Sequence, residues 1–314
     1  MFKYNLIKKF ILFFFSISLS INFVQAKVLT SVKPLGFITA AIADGVTDTD
    51  ILLPDGASPH TYSLKPSDLI KIKSADLIIW VGDDMEAFLP NFLKSIDNSK
   101  QLELAANPNI KALLRAGHSH EEESDEHDHD EHSSDDHHHE HHHGQFDMHI
   151  WLSPQIARAA AQSIHDKLVV IYPDKASLLD ENLSKFTSKL KDTEQIIAKK
   201  LNSVQNKGYF VFHDGYGYFE SEFNLNHLGS FTVNPAIQPG VKKIYEIQSE
   251  LSHKNAVCVF KEPQFSPAII NKLVDGTRVK VGEIDPLGMD IELSTDAYCK
   301  FLLKIAQQFL NCLE

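Results

Sequence analysis

Residues 174–205 constrain the possible fold of this chain more than any other segment does. They contain no glycine and no proline, and their apolar side chains keep a three- or four-residue spacing, with Thr193 filling one gap. This pattern predicts one amphipathic helix. A helix of about 30 residues is roughly 45 Å long, which exceeds an ordinary crossover between strands. We therefore expect it to join two lobes as a stiff strut.

Short β-rich runs alternate with helical stretches on both sides of this helix, a pattern typical of parallel α/β layers. The predicted strands and extended runs are residues 28–32, 49–53, 76–81, 209–212, 225–233, 256–260 and 278–281. Helical spacing of apolar residues also predicts a helix over residues 85–96. We expect an N-terminal α/β lobe over residues 27–173, a connecting helix over residues 174–206 and a C-terminal α/β lobe over residues 207–314.

The first 26 residues have the pattern of a signal peptide. Three lysines precede an apolar run, and Val24 and Ala26 are the small residues expected before a cleavage site. A membrane anchor is the alternative, but serines and an asparagine interrupt the run, which is short for a span of about 20 residues. We expect cleavage after Ala26 and export to the periplasm.

The most unusual composition lies in residues 117–144. Between His118 and His143 there are eleven histidines, eleven acidic residues and no Lys or Arg, so this segment carries nearly all of the net charge of −12. We expect it to be a disordered insert that binds Zn²⁺, Ni²⁺ or Cu²⁺ weakly, or else a solvated linker. The auxiliary ligands predicted in its densest part are His137, His138, His139, His141, His142 and His143. The rest of the chain is nearly neutral, which argues against nucleic-acid binding.

Single histidines outside the insert follow predicted strands or turns. His60 lies in the loop after residues 49–53, His213 ends residues 209–212, and His149 stands just before a Ser-Pro helix start. Asp285 follows residues 278–281 in the same way. Ligands of open α/β sheets bind beyond the carboxyl ends of strands, and imidazole suits zinc. We therefore expect a zinc site in the cleft between the lobes, although a solvated or capping role is the alternative for each residue taken singly.

Three cysteines remain beyond the signal peptide. Cys299 and Cys312 would lie about 20 Å apart on one closing helix, too far for a disulfide. Any disulfide must therefore include Cys258. We choose Cys258–Cys312, with Cys299 free, and three buried thiols are the alternative. No hydrolase or phosphate-binding motif is found in the sequence.

Ordered motifs extend over the whole chain after the signal peptide. They are Pro-Asp-Gly-Ala-Ser-Pro-His (54–60), Met-His-Ile-Trp-Leu-Ser-Pro (148–154), Gly-Tyr-Phe-Val-Phe-His-Asp-Gly-Tyr (208–216), Asn-Pro-Ala-Ile-Gln-Pro-Gly (234–240), Phe-Lys-Glu-Pro-Gln-Phe (260–265) and Asp-Pro-Leu-Gly (285–288). Together with the acidic histidine insert, they resemble the metal-binding receptors of bacterial ABC importers, specifically the ZnuA-like periplasmic zinc-binding proteins.

The resemblance implies two (β/α)₄-type lobes bridged by a rigid helix, with Zn²⁺ held between them by His60, His149 and His213. Manganese receptors of the same superfamily tend to carry a carboxylate at the third histidine position, so His213 implies zinc. Some zinc receptors carry a Glu directly before the first histidine. Pro59 stands there in this chain, which leaves Asp285 or a water for the fourth coordination position.

The resemblance further implies a binding protein and not an enzyme. It would deliver Zn²⁺ to a cognate permease in the inner membrane, driven by a cytoplasmic ATPase, and we expect it to be a monomer. The positions of Cys258 and Cys312 match a disulfide of related zinc receptors. The alternatives are a manganese or nickel receptor, a metal-dependent hydrolase and a histidine-rich metal buffer.

Overall fold

The structure, a computed structural model, describes residues 27–117, 146–232, 240–265, 270 and 273–314. The predicted signal peptide with its cleavage site after Ala26 lies outside the described residues, as do all eleven histidines of the insert. Within the described ranges, no helix combines the length and the apolar character needed to cross a bilayer.

The N-terminal lobe is built on a parallel sheet of four strands in the order β2-β1-β3-β4. The strands are β1 (Lys27–Thr30), β2 (Asp48–Ile51), β3 (Leu77–Trp80) and β4 (Gln101–Glu103). The helices are α1 (Lys33–Ile42), α2 (Pro66–Ser74), α3 (Pro90–Leu93), α4 (Pro108–Lys111) and α5 (Pro154–Ile171). Each of these helices has a proline in its first turn, where the missing N–H would have no partner in the helix.

The C-terminal lobe repeats this plan. Its parallel strands lie in the order β6-β5-β7-β8, so in each lobe the first strand in the chain is central and the second lies on its outer side. The strands are β5 (Tyr209–His213), β6 (His227–Thr232), β7 (Cys258–Lys261) and β8 (Lys280–Glu283). The helices include α7 (Gly217–Phe223), α8 (Val241–His253) and α9 (Ala297–Leu313). The predicted fold class of two parallel α/β lobes is confirmed.

The long helix α6 runs from Ala176 to Leu201, after a 3₁₀ turn at Pro173–Lys175. Its buried stripe belongs to an apolar core that also contains residues of both lobes. Asn182 Nδ2 donates to the carbonyls of Ile42 and Asp44, at 3.0 and 2.9 Å, and so ties α6 to the end of α1. The helix also packs against α9 of the C-terminal lobe. It therefore joins the two lobes while packing on both.

One part of the N-terminal lobe differs from the sequence prediction. The helix predicted over residues 85–96 is wrong, because the structure has turns there and only the short α3. The carboxylate of Glu86 accepts hydrogen bonds from the Ser31 hydroxyl and from the backbone N–H groups of Val81 and Gly82. These bonds fold the chain back on the end of β3, and burial raises the pKa of Glu86 to about 7. The three-residue strand β4 was not predicted.

The predicted disulfide is confirmed. Cys258, at the start of β7, is bonded to Cys312 near the end of α9, with their Cα atoms 6.0 Å apart. Cys299 is buried and forms no disulfide, as expected.

Candidate metal centre

Three histidines from separate elements converge in the cleft between the lobes. His60 lies in the loop between β2 and α2, and its backbone N–H donates to Ser58 Oγ at 3.3 Å. His149 directly precedes a 3₁₀ turn at Ile150–Leu152 that leads into α5. His213 is the last residue of β5. The N-terminal lobe thus supplies two imidazoles and the C-terminal lobe supplies one.

The three rings are close enough to bind one ion. One ring nitrogen from each histidine lies within 4.8 Å of the other two. The Nε2 atoms of His60 and His149 are 3.2 Å apart. Two nitrogens bound to one tetrahedral Zn²⁺ at the usual bond length would lie about 3.3 Å apart. The 3.2 Å separation fits two ligands of one zinc ion, and it equally fits a hydrogen bond between the two rings.

A carboxylate orients the ring of His149. Asp147 Oδ1 accepts a hydrogen bond from the backbone N–H of His149 at 3.0 Å and lies 2.8 Å from its Nδ1. This contact leaves Nε2 free to face the other histidines. Burial favours the neutral form of Asp147, but the hydrogen bond and charge of His149 outweigh it and lower the pKa of Asp147.

A second carboxylate orients the ring of His213. Glu262 follows β7, is only 3% exposed, and places Oε1 3.2 Å from His213 Nδ1. Burial opposes protonation of His213, but the nearby carboxylates, Glu262 first, outweigh it and raise the pKa of His213. The other nitrogen of this ring, Nε2, is buried and has no hydrogen-bond partner among the described residues. A buried nitrogen without a partner fits a metal ligand.

His60 has the opposite electrostatic environment. Burial, followed by the positive potential of His213 and His149, holds the pKa of His60 well below its ordinary value. The imidazole is therefore neutral near neutral pH, which is the form that binds a metal.

Gly215 allows the rings to approach each other. A Cβ atom at this position would lie 2.7 Å from His213 Cε1 and 3.1 Å from His149 Nε2. Distances this short require a neighbouring atom to move. The backbone turn after β5 therefore passes against the two rings without a side chain.

Hydrogen bonds between the lobes surround the histidines. Trp151, whose ring packs edge-on against that of His149, donates from Nε1 to the carbonyl of Pro286 at 2.8 Å. Tyr218 donates from its hydroxyl to the carbonyl of Asp147 at 2.7 Å. The segment that carries His149 is thus fastened to the C-terminal lobe.

The space among the rings suits a single ion. It has a volume of about 10 Å³, roughly that of one water-sized sphere. Asp147 and Glu262 each contact the Nδ1 atom of one imidazole, and Glu262 also lines the space. No Lys or Arg is among the described residues that line it. Two negative charges next to three neutral nitrogen ligands would balance a divalent cation.

The model of the family ZnuA, zinc-uptake complex component A, periplasmic, matches residues 28–312. The chain belongs to this family. It is 50% identical over 295 residues to the high-affinity zinc uptake system protein ZnuA of Yersinia pestis, covering 93% of each chain. It is also 50% identical over 290 residues to the protein of the same description from Haemophilus ducreyi, covering 92% of this chain and 94% of that protein. The resemblance inferred from the motifs is confirmed.

Solved structures agree with the fold. A crystal structure of ZnuA superposes with a TM-score of 0.73 at 21% identity, covering 92% of this chain and 100% of that one. The periplasmic zinc-binding protein TroA of Treponema pallidum superposes with a TM-score of 0.75 at 16% identity, covering 92% and 99%. At these identities the likeness shows a shared fold of two lobes.

Asp285 does not join the histidine group. Its Oδ1 accepts from the backbone N–H of Leu287 and from Gln264 Nε2, both at 3.0 Å. Its Oδ2 accepts from the backbone N–H of Met289 at 2.6 Å. The carboxylate is therefore engaged in fixing the loop after β8 and the side chain of Gln264.

Two of the three remaining described histidines are paired with carboxylates. His165 lies between Asp166 and Asp180, whose carboxylates raise its pKa although burial opposes this. His227 is paired with Glu220. These contacts agree with leaving both histidines out of the predicted site.

Asp147, Glu262 and Gly215 were not predicted to belong to the site. Asp147 could have been found from its position two residues before a candidate ligand, because metal-bound histidines usually donate their second N–H to a carboxylate. Glu262 directly follows a predicted strand, as His213 does, and the same strand-end rule could have found it.

Proposed function

We propose that this protein captures Zn²⁺ outside the cytoplasm and delivers it to an ABC-type membrane permease. The observation that carries the proposal is the convergence of three imidazoles, at zinc-ligand spacing, in the cleft between two lobes. The names of the relatives, zinc uptake system proteins, support the same function.

We propose His60, His149 and His213 as the ligands that hold the ion. Three nitrogen ligands favour zinc over manganese, which prefers oxygen. Asp147 and Glu262 contact the Nδ1 atoms of His149 and His213, so their negative charge can stabilise the cation while ring nitrogens bind it. We propose that the arrangement serves binding, in line with the family of zinc-uptake components to which the chain belongs.

Several further parts of the proposal rest on the sequence and the family. They are cleavage of residues 1–26, action in the periplasm as a monomer, and delivery to a cognate permease driven by a cytoplasmic ATPase. We also propose an N-terminal lobe over residues 27–173, a connecting helix over residues 174–206 and a C-terminal lobe over residues 207–314. The histidine insert is proposed to bind metal weakly. The contacts of α6, Trp151 and Tyr218 across the lobes support a small change of shape on zinc loading.

Zinc titration against a competing chelator tests the proposal on four proteins. These are the full chain after the signal peptide, the same chain lacking residues 117–144, His60→Ala and His213→Ala. Wild type and the insert deletion should keep one tight site, and the deletion should lose several weak ones. Each point variant should lose the tight site.

Loss of tight binding on deletion of the insert would contradict the proposed ligands. Competition on the insert-deleted protein distinguishes the metals, and preferential binding of Mn²⁺ over Zn²⁺ would point to a manganese receptor. Normal growth of a deletion strain in zinc-poor medium would indicate a metal buffer and not an importer component.

A further inference from the structure

Gln264 is a polar residue of the metal centre that has no assigned role. It lines the small space among the three histidines. It also lines a larger cleft on the outer side, which is bounded by the loop of residues 56–65. Ser58 and Phe265 border both spaces too, so Gln264 lies where the metal centre adjoins the cleft.

The neighbouring contacts place Gln264 close to the ligands. Phe265, the next residue, packs its ring edge-on against that of His213, with centroids 6.5 Å apart, and also packs against Phe212. Glu262, two residues earlier, is bonded to His213. The segment 262–265 therefore follows the side of the His213 ring.

The orientation of the Gln264 amide is fixed by its partner. Asp285 Oδ1 lies 3.0 Å from Gln264 Nε2 and also accepts a backbone N–H, so it acts as an acceptor there. A carboxylate acceptor requires the NH₂ end of the amide, which directs the oxygen, Oε1, away from Asp285. Gln264 Oε1 is buried and has no hydrogen-bond partner among the described residues.

A buried amide oxygen without a hydrogen-bond partner lowers the stability of the folded protein. Such an oxygen is commonly explained by a bound ion or water that contacts it. The three histidines leave the fourth position of a tetrahedral zinc open, and zinc accepts oxygen ligands. We propose that Gln264 Oε1 is the fourth ligand of the bound zinc ion, held in place by Asp285. The inference rests on the proposed function, because it assumes zinc at the three histidines.

A neutral fourth ligand agrees with the charge of the site. Asp147 and Glu262 already balance a divalent cation, and a carboxylate bound directly to zinc would leave excess negative charge. The amide oxygen completes the coordination without this charge. Asp285 then contributes indirectly, by orienting Gln264.

Spectroscopy on the Co²⁺-loaded protein tests the identity of the fourth ligand without relying on affinity. In water enriched in the magnetic oxygen isotope, a coordinated water broadens the paramagnetic resonance of Co²⁺. We expect no such broadening in wild type and clear broadening in Gln264→Leu, where water takes the vacated position. Broadening in wild type, or identical spectra for both proteins, would overturn the inference.

Zinc titration provides the second measurement. Gln264→Leu should bind one zinc with at least about 10-fold lower affinity, the lower end of the loss found when a group that only orients a ligand is removed. Gln195→Leu, the same change at an exposed position on α6, should bind as wild type does. Unchanged affinity in Gln264→Leu would count against the inference alone. Tight binding retained by His60→Ala and His213→Ala would instead refute the proposed function.

Discussion

Replacement of Gly215 by alanine is expected to abolish tight zinc binding without unfolding the protein. The added methyl carbon would lie 2.7 Å from His213 Cε1 and 3.1 Å from both Nε2 and Cδ2 of His149. Gly215 is not among the glycines with positive φ, so its backbone is accessible to alanine. The expected effect is therefore steric and local to the two rings.

The size of the effect follows from the distances. Carbon atoms in favourable contact lie about 3.5–4.0 Å apart, so the His213 ring would have to move by about 0.8 Å or more. Metal–ligand distances tolerate deviations of only about 0.2 Å. Because carboxylates hold the rings of both His149 and His213, neither can yield without losing a hydrogen bond. We expect zinc affinity to fall by at least about 100-fold, or about 2.8 kcal/mol.

Competitive chelator titration near neutral pH measures this loss, and thermal unfolding of the zinc-free protein checks the fold. Gly240→Ala is the matched control, because a Cβ there meets no atom of the described residues within 4 Å and its φ of −66° suits alanine. The control should bind zinc as wild type does. Wild-type affinity in Gly215→Ala would show that the rings are not confined as described, and the reasoning from their geometry would fail.

Four further changes have defined outcomes. Glu262→Gln should lower zinc affinity about 10- to 100-fold in chelator titrations, and the loss of binding in acid should move to lower pH because the carboxylate no longer raises the pKa of His213. In wild type, affinity should fall from pH 7 to pH 5, since protons compete for the imidazoles; a flat profile would contradict histidine ligation. Replacing both Cys258 and Cys312 by serine opens a loop with a sequence separation of 54 residues and should cost about 4 kcal/mol in denaturant unfolding, with zinc binding retained. Asn182→Leu leaves two carbonyls near the end of α1 without their donor and should cost about 1–3 kcal/mol in the same assay.

The sequence predicted those parts of the structure that depend on periodicity. The long helix, the β5 strand and the positions of His60 and His213 follow from apolar spacing and from the rule that parallel sheets bind ligands at their carboxyl ends. That rule also selected Asp285, which does lie past β8. It could not show that this carboxylate is engaged by backbone N–H groups and by Gln264, because those contacts depend on how the loop folds.

Local hydrogen bonds explain the parts that were not predicted. Over residues 85–96, helical spacing of apolar residues was present, but the carboxylate of Glu86 accepts N–H groups at the end of β3 and the chain turns instead. The strand β4 is three residues long and has a single apolar residue, Leu102, which is too little for a periodic signal. Gly215 has no side chain to attract notice, and its importance appears only when the two rings are placed beside it.

The three proposed ligands are not held alike, and this difference bears on release of the ion. Carboxylates fix the rings of His149 and His213. The hydrogen bond of Trp151 also fastens the segment that carries His149 to the C-terminal lobe. Among the described residues, no carboxylate is bonded to His60, whose ring is also the most exposed of the three. Because α6 packs on both lobes, separating them would break many contacts at once. Because His149 and His213 each have a bonded carboxylate and His60 has none among the described residues, we expect the bond from His60 to the ion to break first on release.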